Sequence, residues 1–345
     1  MKYLSLLFMC LILASCKKEE QPPKDYAVIH GKISNPTEGL GFRLYNPATS
    51  KSVTIPVDKN GVFRDTLKLE EPASFNGVYE NVFGIYLEND MDLELTFDKE
   101  NITKTIAFSG KGAEENNFLR EKNKRSGVLM GEDYKEYLAL DDAAFDRKTD
   151  DYNNGLIEIL DAKKEVMSPE FITLQKENLQ NFKTDITAQH KEQLEINSKL
   201  SKGMPSPPFT DYVNYSGGTN DLEDYRGKYV YIDIWATWCV PCIVEMPYMN
   251  EIEKEYADKN IQFIGLSIDD PAKDEQKWRD MIVDKELHGT QLLADNQIDS
   301  KFVRDYYIYG IPRFILLDPQ GNIITYDAPR PSEPRLKELF DSLDI

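Results

Sequence analysis

Tyr229 to Trp235 is an almost unbroken apolar run, interrupted by one carboxylate, Asp233, and followed closely by Cys239-Val240-Pro241-Cys242. A short continuous apolar run bounded by turn signals reads as a buried strand. Beyond Pro241 the pattern turns helical, with Ile243, Met246, Met249 and Ile252 recurring at every third residue. The chain must therefore build a sheet whose buried strand ends where a helix begins, with two thiols at the junction. That placement is chemical in character, since two cysteines so close in sequence close only a tiny loop and constrain little of the unfolded chain.

The remaining cysteines sharpen this reading. The 345 residues carry four, and two of them, Cys10 and Cys16, fall in an N-terminal leader. Lys2 is a short basic region, Leu4 to Leu13 is apolar but too short to span a bilayer, and Leu13-Ala14-Ser15-Cys16 closes the stretch. The pattern resembles the bacterial lipoprotein signal, which implies removal of residues 1–15 and lipidation of Cys16. A secretory leader with ordinary cleavage is the alternative. Lys17, where an inner-membrane retention mark would place Asp, favours the outer membrane, and residues 16–25 form a polar tether. Only Cys239 and Cys242 then remain as thiols, in a compartment where structural disulfides form freely. A redox role fits a single close pair better than a staple does.

The net charge of −19 argues against nucleic acid as a partner and against electrostatic docking on an anionic lipid surface. A zinc site would need four ligands; the Cys pair supplies two, and His30, His190 and His288 are scattered. No metal and no cofactor beyond the redox-active disulfide are expected.

Residues 26–112 read as β: alternating segments at Val28–Ile33, Phe42–Tyr45, Ser52–Ile55, Val62–Phe63, Val82–Leu87, Leu93–Phe97 and Thr105–Phe108, with a strong turn at Asp58-Lys59-Asn60-Gly61. A sandwich or open barrel is expected. Residues 113–203 read as charged helices and a linker. Ser168-Pro169 caps one helix, and Phe171, Leu174, Phe182 and Ile186 mark its apolar face. Met204-Pro205-Ser206-Pro207-Pro208 reads as a stiff linker opening a last domain over 204–345. There, strands at 212–215, 229–235, 261–268, 290–293, 313–317 and 323–326 alternate with helices at 240–259, 273–283, 298–306 and 334–343. An α/β domain with a central mixed sheet flanked by helices is expected.

This last domain resembles the thioredoxin superfamily, and within it the TlpA/ResA-like membrane-tethered thiol–disulfide oxidoreductases. The residues that carry the resemblance are Pro208-Phe209, Leu222 to Lys228, Trp235-Ala236-Thr237-Trp238-Cys239-Val240-Pro241-Cys242, Glu245 and Gly310-Ile311-Pro312. The segment ahead of it is loosely similar to the β-rich domain of unknown function often fused to bacterial envelope thioredoxins. The resemblance implies an enzyme that reduces or exchanges protein disulfides. Cys239, at a helix N-terminus that stabilises a thiolate, is expected to be the exposed attacking sulfur, and Cys242 the buried resolving one. Pro241 fits the first helical turn, where no N–H is needed. Pro312 is expected to be cis and to face the sulfurs, leaving the Ile311 backbone free to pair with an extended substrate. Trp235 and Trp238 are expected either to wall the site or simply to pack. Asp233 stands where thioredoxins bury an acid, and Glu245 where ResA-like members carry a glutamate, so both are candidate proton carriers.

The implied partners are disulfide-bearing envelope proteins, apocytochrome c among them, and a membrane thiol electron donor. Two other functions remain open: a surface lipoprotein whose N-terminal half binds a partner or ligand, and a thiol peroxidase. Against the second, Ile232 and Ala236 occupy the places where a peroxiredoxin carries Pro and Thr or Ser.

Overall fold

The computed structural model describes residues 22–131, 134–343 and 345. The leader and Cys16 lie outside the described residues. The chain forms two compact units: the first runs to Tyr137 and takes in Asp141–Thr184, and the second comprises Leu138–Leu140 and Asp185–Ile345.

Alternating side chains and tight turns make the first unit's strands: β1 (Ala27–Ser34), β2 (Phe42–Asn46), β3 (Lys51–Ile55), β4 (Val62–Leu67), β5 (Ala73–Tyr79), β6 (Asn81–Leu87), β7 (Asp92–Asp98) and, after the short helix α1 (Ile102–Thr105), β8 (Ala107–Lys111). They form two four-stranded sheets, in the orders β4-β1-β7-β8 and β3-β2-β5-β6. Phe42 of one sheet meets Phe63 of the other at 5.1 Å, which makes the pair a sandwich with an aromatic core. The Asp58 turn forms as expected: its carboxylate accepts the N–H groups of Asn60 and Val62. Gly61 is required there, because its φ is +80° and a Cβ would lie 1.9 Å from the Ile33 carbonyl oxygen.

Two sequence expectations fail in this unit. β5 was not anticipated, because Asn76-Gly77 in its middle looks like a turn; instead Gly77 lies opposite Phe83 in the β5–β6 ladder, where a Cβ would crowd that ring. Thr105, expected to start a strand, closes α1 instead.

Helices α2 (Ala113–Met130), α3 (Tyr134–Leu138), α4 (Asp142–Ala162) and α5 (Pro169–Leu200) follow. Ser168 Oγ accepts the Phe171 N–H at 3.2 Å, capping α5, and Phe171 packs on Tyr86 and Phe118. Leu174 is 40% exposed, contrary to expectation: the buried stripe runs Phe171, Gln175, Leu179, Ile186, at spacings of four and seven.

The second unit is a seven-stranded mixed sheet, order β10-β9-β13-β12-β11-β14-β15. Its strands are β9 (Tyr212–Asn214), β10 (Thr219–Asn220), β11 (Tyr229–Trp235), β12 (Ile261–Ser267), β13 (Thr290–Leu293), β14 (Arg313–Leu317) and β15 (Ile323–Thr325). Its helices are α6 (Val240–Glu255), α7 (Glu275–Asp284), α8 (Lys301–Asp305) and α9 (Pro334–Asp341). Central β11 lies parallel to β12 and antiparallel to β14. Its side chains alternate between two cores. Val230, Ile232 and Ile234 pack with Trp278 of α7 and Phe302 of α8, while Tyr231 packs with Met249 of α6 and Phe340 of α9. Helices therefore cover both faces, and Asp233 shares Tyr231's face.

The Met204–Pro208 stretch, expected as a free stiff linker, is stitched to the last hairpin. Gly203 and Ser206 donate to the carbonyls of Ile323 and Gly321, and Met204 accepts from Ile323. The prolines lack N–H groups, so the intervening residues carry the bonds. The helices are shorter than their patterns suggested: α6 stops at Glu255 and α9 at Asp341, α7 starts only at Glu275, and α8 starts only at Lys301 and stops at Asp305. Among the described residues, no helix is long and apolar enough to cross a membrane.

Candidate active site

β11 ends at Trp235, a tight segment follows, and α6 begins at Val240. This segment is held from beneath by Asp269, which the sequence reading passed over. Its fully buried carboxylate accepts the Thr237 N–H at 2.9 Å, the Thr237 hydroxyl at 2.7 Å and the Ser267 hydroxyl at 2.7 Å. Fixing Thr237 fixes Cys239 two residues on.

Cys239 is the N-cap of α6, and its sulfur accepts the Cys242 N–H at 3.2 Å. The two sulfurs are bonded at 2.01 Å. Pro241 lies in the first turn, where its missing N–H costs nothing. Cys239 is 4% exposed and Cys242 1%. Cys239 is not the exposed sulfur anticipated: in the disulfide it turns inward to its partner and to the Cys242 N–H. The Ile311–Pro312 bond is cis, and Ile311 packs on the same core that contains both cysteines and Trp235. Trp235 is a buried packing residue at 1% exposure, whereas Trp238 is 64% exposed, so only Trp238 is placed to wall a surface site.

A row of apolar side chains continues outward from the pair. Val240, Val244 and Tyr248 are all exposed, and their spacing of four puts them on one face of α6, opposite Met246. Tyr309, three residues before Pro312, is also exposed; its hydroxyl donates to Glu192 at 2.7 Å.

Three carboxylates on β11 and α6 are buried. Asp233 is buried and its Oδ1 has no hydrogen-bond partner among the described residues. Burial first, then the charges of Glu245 and Glu253, hold its carboxyl well above the usual range. Glu253, eight residues past Glu245 on α6, is pushed up by burial to about 7, and its Oε2 is also unpartnered. The two acids line a cavity of about 10 Å³ with Asn250, His288 and Gln291, room for one water. Gly265 faces Asp233 across the β11–β12 ladder; a Cβ there would lie 2.2 Å from Gln291 Oε1, so glycine makes room for that amide. Glu245 is not an exposed helix residue: its carboxylate accepts the Ser332 N–H at 3.0 Å and the Ser332 hydroxyl at 2.9 Å, with Arg330 at 3.9 Å.

Residues 201–342 match the Redoxin family model. The thiol–disulfide oxidoreductase ResA of Bacillus thuringiensis is 30% identical over 128 residues, 36% of this chain and 69% of that protein. The thioredoxin-like protein YneN of Bacillus subtilis is 32% identical over 124 residues, again 36% and 69%. The chain belongs to the thioredoxin-like thiol–disulfide oxidoreductases. Among solved structures, a thiol–disulfide oxidoreductase described as putative from Bacteroides vulgatus is 36% identical, covers 42% of this oxidoreductase and 98% of itself, and superposes with a TM-score of 0.38.

Of the residues singled out in the sequence, the oxidoreductase brings Cys239, Cys242 and Ile311 into one cluster. It buries Asp233 on the Tyr231 face of β11 and ties Glu245 to the loop before α9. Asp269 and Ser332 act through contacts distant in sequence, which local patterns do not reveal. Glu253 did leave a signal: it falls on the buried stripe of α6 with Met246 and Met249, at spacings of three and four. Among the described residues, no group of three or more His, Cys, Asp or Glu is placed to hold a metal ion.

Proposed function

We propose that the oxidoreductase reduces or exchanges disulfides of cell-envelope proteins, anchored through lipid on Cys16 and favouring the outer membrane. The observation that carries the chemistry is the Cys239–Cys242 disulfide at the N-terminus of α6. In the reduced enzyme, the N-terminal N–H groups and dipole of α6 favour a Cys239 thiolate. That thiolate attacks one sulfur of a substrate disulfide, forming a mixed disulfide and expelling the other substrate sulfur as thiolate. Cys242 then loses its proton and attacks the Cys239 sulfur, which releases the second substrate thiolate and leaves the enzyme oxidised. Two electrons pass to the substrate, and a thiol donor at the membrane restores them.

Asp233 is the proposed acceptor of the Cys242 proton, since burial holds its carboxyl well above the usual range and makes its carboxylate a stronger base. Glu245, fixed by Ser332, sets the electrostatics of the pair. The Ile311 backbone pairs with an extended substrate segment. Trp238, Val240, Val244 and Tyr248 supply the apolar surface on which a protein substrate rests. Apocytochrome c and wrongly oxidised envelope proteins are the substrate classes this reading favours.

Trapping tests the assignment. Cys242→Ser should accumulate covalent mixed disulfides with envelope proteins on non-reducing gels, and Cys239→Ser should accumulate none. Trapping by Cys239→Ser alone, or equal trapping by both, overturns the assigned roles.

A further inference from the structure

The first unit carries a cleft of about 590 Å³ for which disulfide exchange has no use. One wall is the free edge of β6, the outermost strand of its sheet. At one end this edge is already covered. Asn116 on α2 accepts the Tyr86 N–H at 2.9 Å and donates to the Tyr86 carbonyl at 3.0 Å, as a neighbouring strand would. In an antiparallel edge strand every second residue turns both backbone groups outward. Gly84 and Val82 therefore turn theirs the same way as Tyr86, into the cleft, and no backbone or side-chain group among the described residues takes them up. A Cβ built on Gly84 would meet nothing within 4 Å, so the sheet face beside that edge is open too.

The opposite wall is one face of α2, with Asn116, Arg120 and Lys124 at spacings of four. Ile106 and Phe108 line the floor, and Lys104 of α1 stands at the rim. Lys104, Arg120 and Lys124 form no ion pair among the described residues, although acids outnumber bases 60 to 41 in the chain. Three unpaired cations facing a free strand edge in so acidic a protein are a local reversal of its charge. From Asn116 to Lys124 the α2 wall spans about 12 Å, the length of about four residues in extended conformation.

We propose that this cleft captures an extended acidic peptide segment, which adds as a strand to β6 at Val82 and Gly84. Its backbone takes the free N–H and C=O groups of the edge. Its alternate side chains divide between the apolar floor at Ile106 and Phe108 and the cations Lys104, Arg120 and Lys124, so alternating acidic and apolar residues fit best. An acyl chain would fill the floor but leave the edge groups unpaired, which costs more than a strand that satisfies them. The capture site is separate from the disulfide chemistry and gives the first unit a recognition function of its own.

The test uses the full chain and a fluorescein-labelled Glu-Val-Glu-Val-Glu peptide, read by anisotropy, with the Gly84 amide followed by NMR. Saturable binding is expected, with a shift and slowed exchange of the Gly84 amide. The double variant Arg120→Glu/Lys124→Glu should bind roughly tenfold or more weakly, while its disulfide exchange and melting temperature match the parent. The same peptide with N-methylated backbone keeps every charge and side chain but should lose binding, a control that perturbs no protein residue. Equal affinity for the N-methylated peptide, binding with an unmoved Gly84 amide, or no saturable binding each overturns the proposal. Laurate displacing the peptide with the Gly84 amide unshifted assigns the cleft to an acyl anion and also overturns it.

Discussion

Glu253→Gln should remove a pH dependence from the stability of the catalytic unit. Burial holds the Glu253 carboxyl at about 7 in the folded chain, against an ordinary 4.5. Between those values the folded state keeps a proton that the unfolded chain has lost. Because the native state binds more protons there, stability falls as pH rises from 4.5 to 7 and then levels off. The shift corresponds to a loss of about 3 kcal/mol. Glutamine is nearly the same size and titrates nothing, so it keeps the packing and removes this slope. The variant's stability relative to wild type should therefore rise by about 2 to 3 kcal/mol between pH 5 and pH 8. Asp233 adds a slope of the same sign to both proteins, and because the Glu253 charge helps to raise it, the difference between the profiles reports Glu253 together with its effect on Asp233. Urea unfolding followed by tryptophan fluorescence is the assay. The chain's three tryptophans, Trp235, Trp238 and Trp278, all lie in the second unit, so the signal ignores the first. Parallel stability profiles for the two proteins from pH 5 to pH 8 would refute the reasoning.

Asp233→Asn should slow resolution of the mixed disulfide near pH 7 and move its pH dependence upward, measured by quenched single-turnover assays; unchanged rates across pH 6–9 would make Asp233 structural. Asp269→Ala strips three donors of a buried acceptor and should destabilise the catalytic unit by about 2 to 4 kcal/mol, read by the same fluorescence unfolding. Val244→Asp should weaken reduction of a protein disulfide severalfold yet leave a small aromatic disulfide unaffected, because Val244 lies on the exposed row of α6 and not in the core. Cys16→Ala should leave the protein unlabelled by radioactive palmitate and out of the membrane fraction; continued labelling would refute the anchor assignment.

What the sequence revealed follows the range of the forces involved. β11, β13 and β14 lie where the sequence places them, because their apolar runs are short, buried and bounded by turn residues. The junction at Cys239 is equally local, a strand end meeting a helix start, whereas the cis bond before Pro312 was expected only from the family resemblance. β5 escaped because Asn76-Gly77 mimics a turn, and only the pairing with Phe83 reveals why glycine is there. Leu174 misled because apolar character alone does not fix which helix face is buried; Gln175, on the buried stripe, is the better marker. Asp269 and Ser332 were invisible, since their partners lie 32 and 87 residues away. Glu253 is a charge in phase with the buried Met246 and Met249, so its burial does have a local signal.

The tie between Glu245 and Ser332 has a consequence for the order in which the catalytic unit matures. The helix bearing the cysteines is made before the donors that satisfy its buried carboxylate, which follow 87 residues later. Until Ser332 arrives, Glu245 has reason to stay in water, and α6 has reason not to close over the sheet. A nascent or truncated chain therefore holds Cys239 and Cys242 on a loosely docked helix, open to any passing thiol or disulfide. The segment that leads into α9 is thus part of what holds the active-site helix against the sheet.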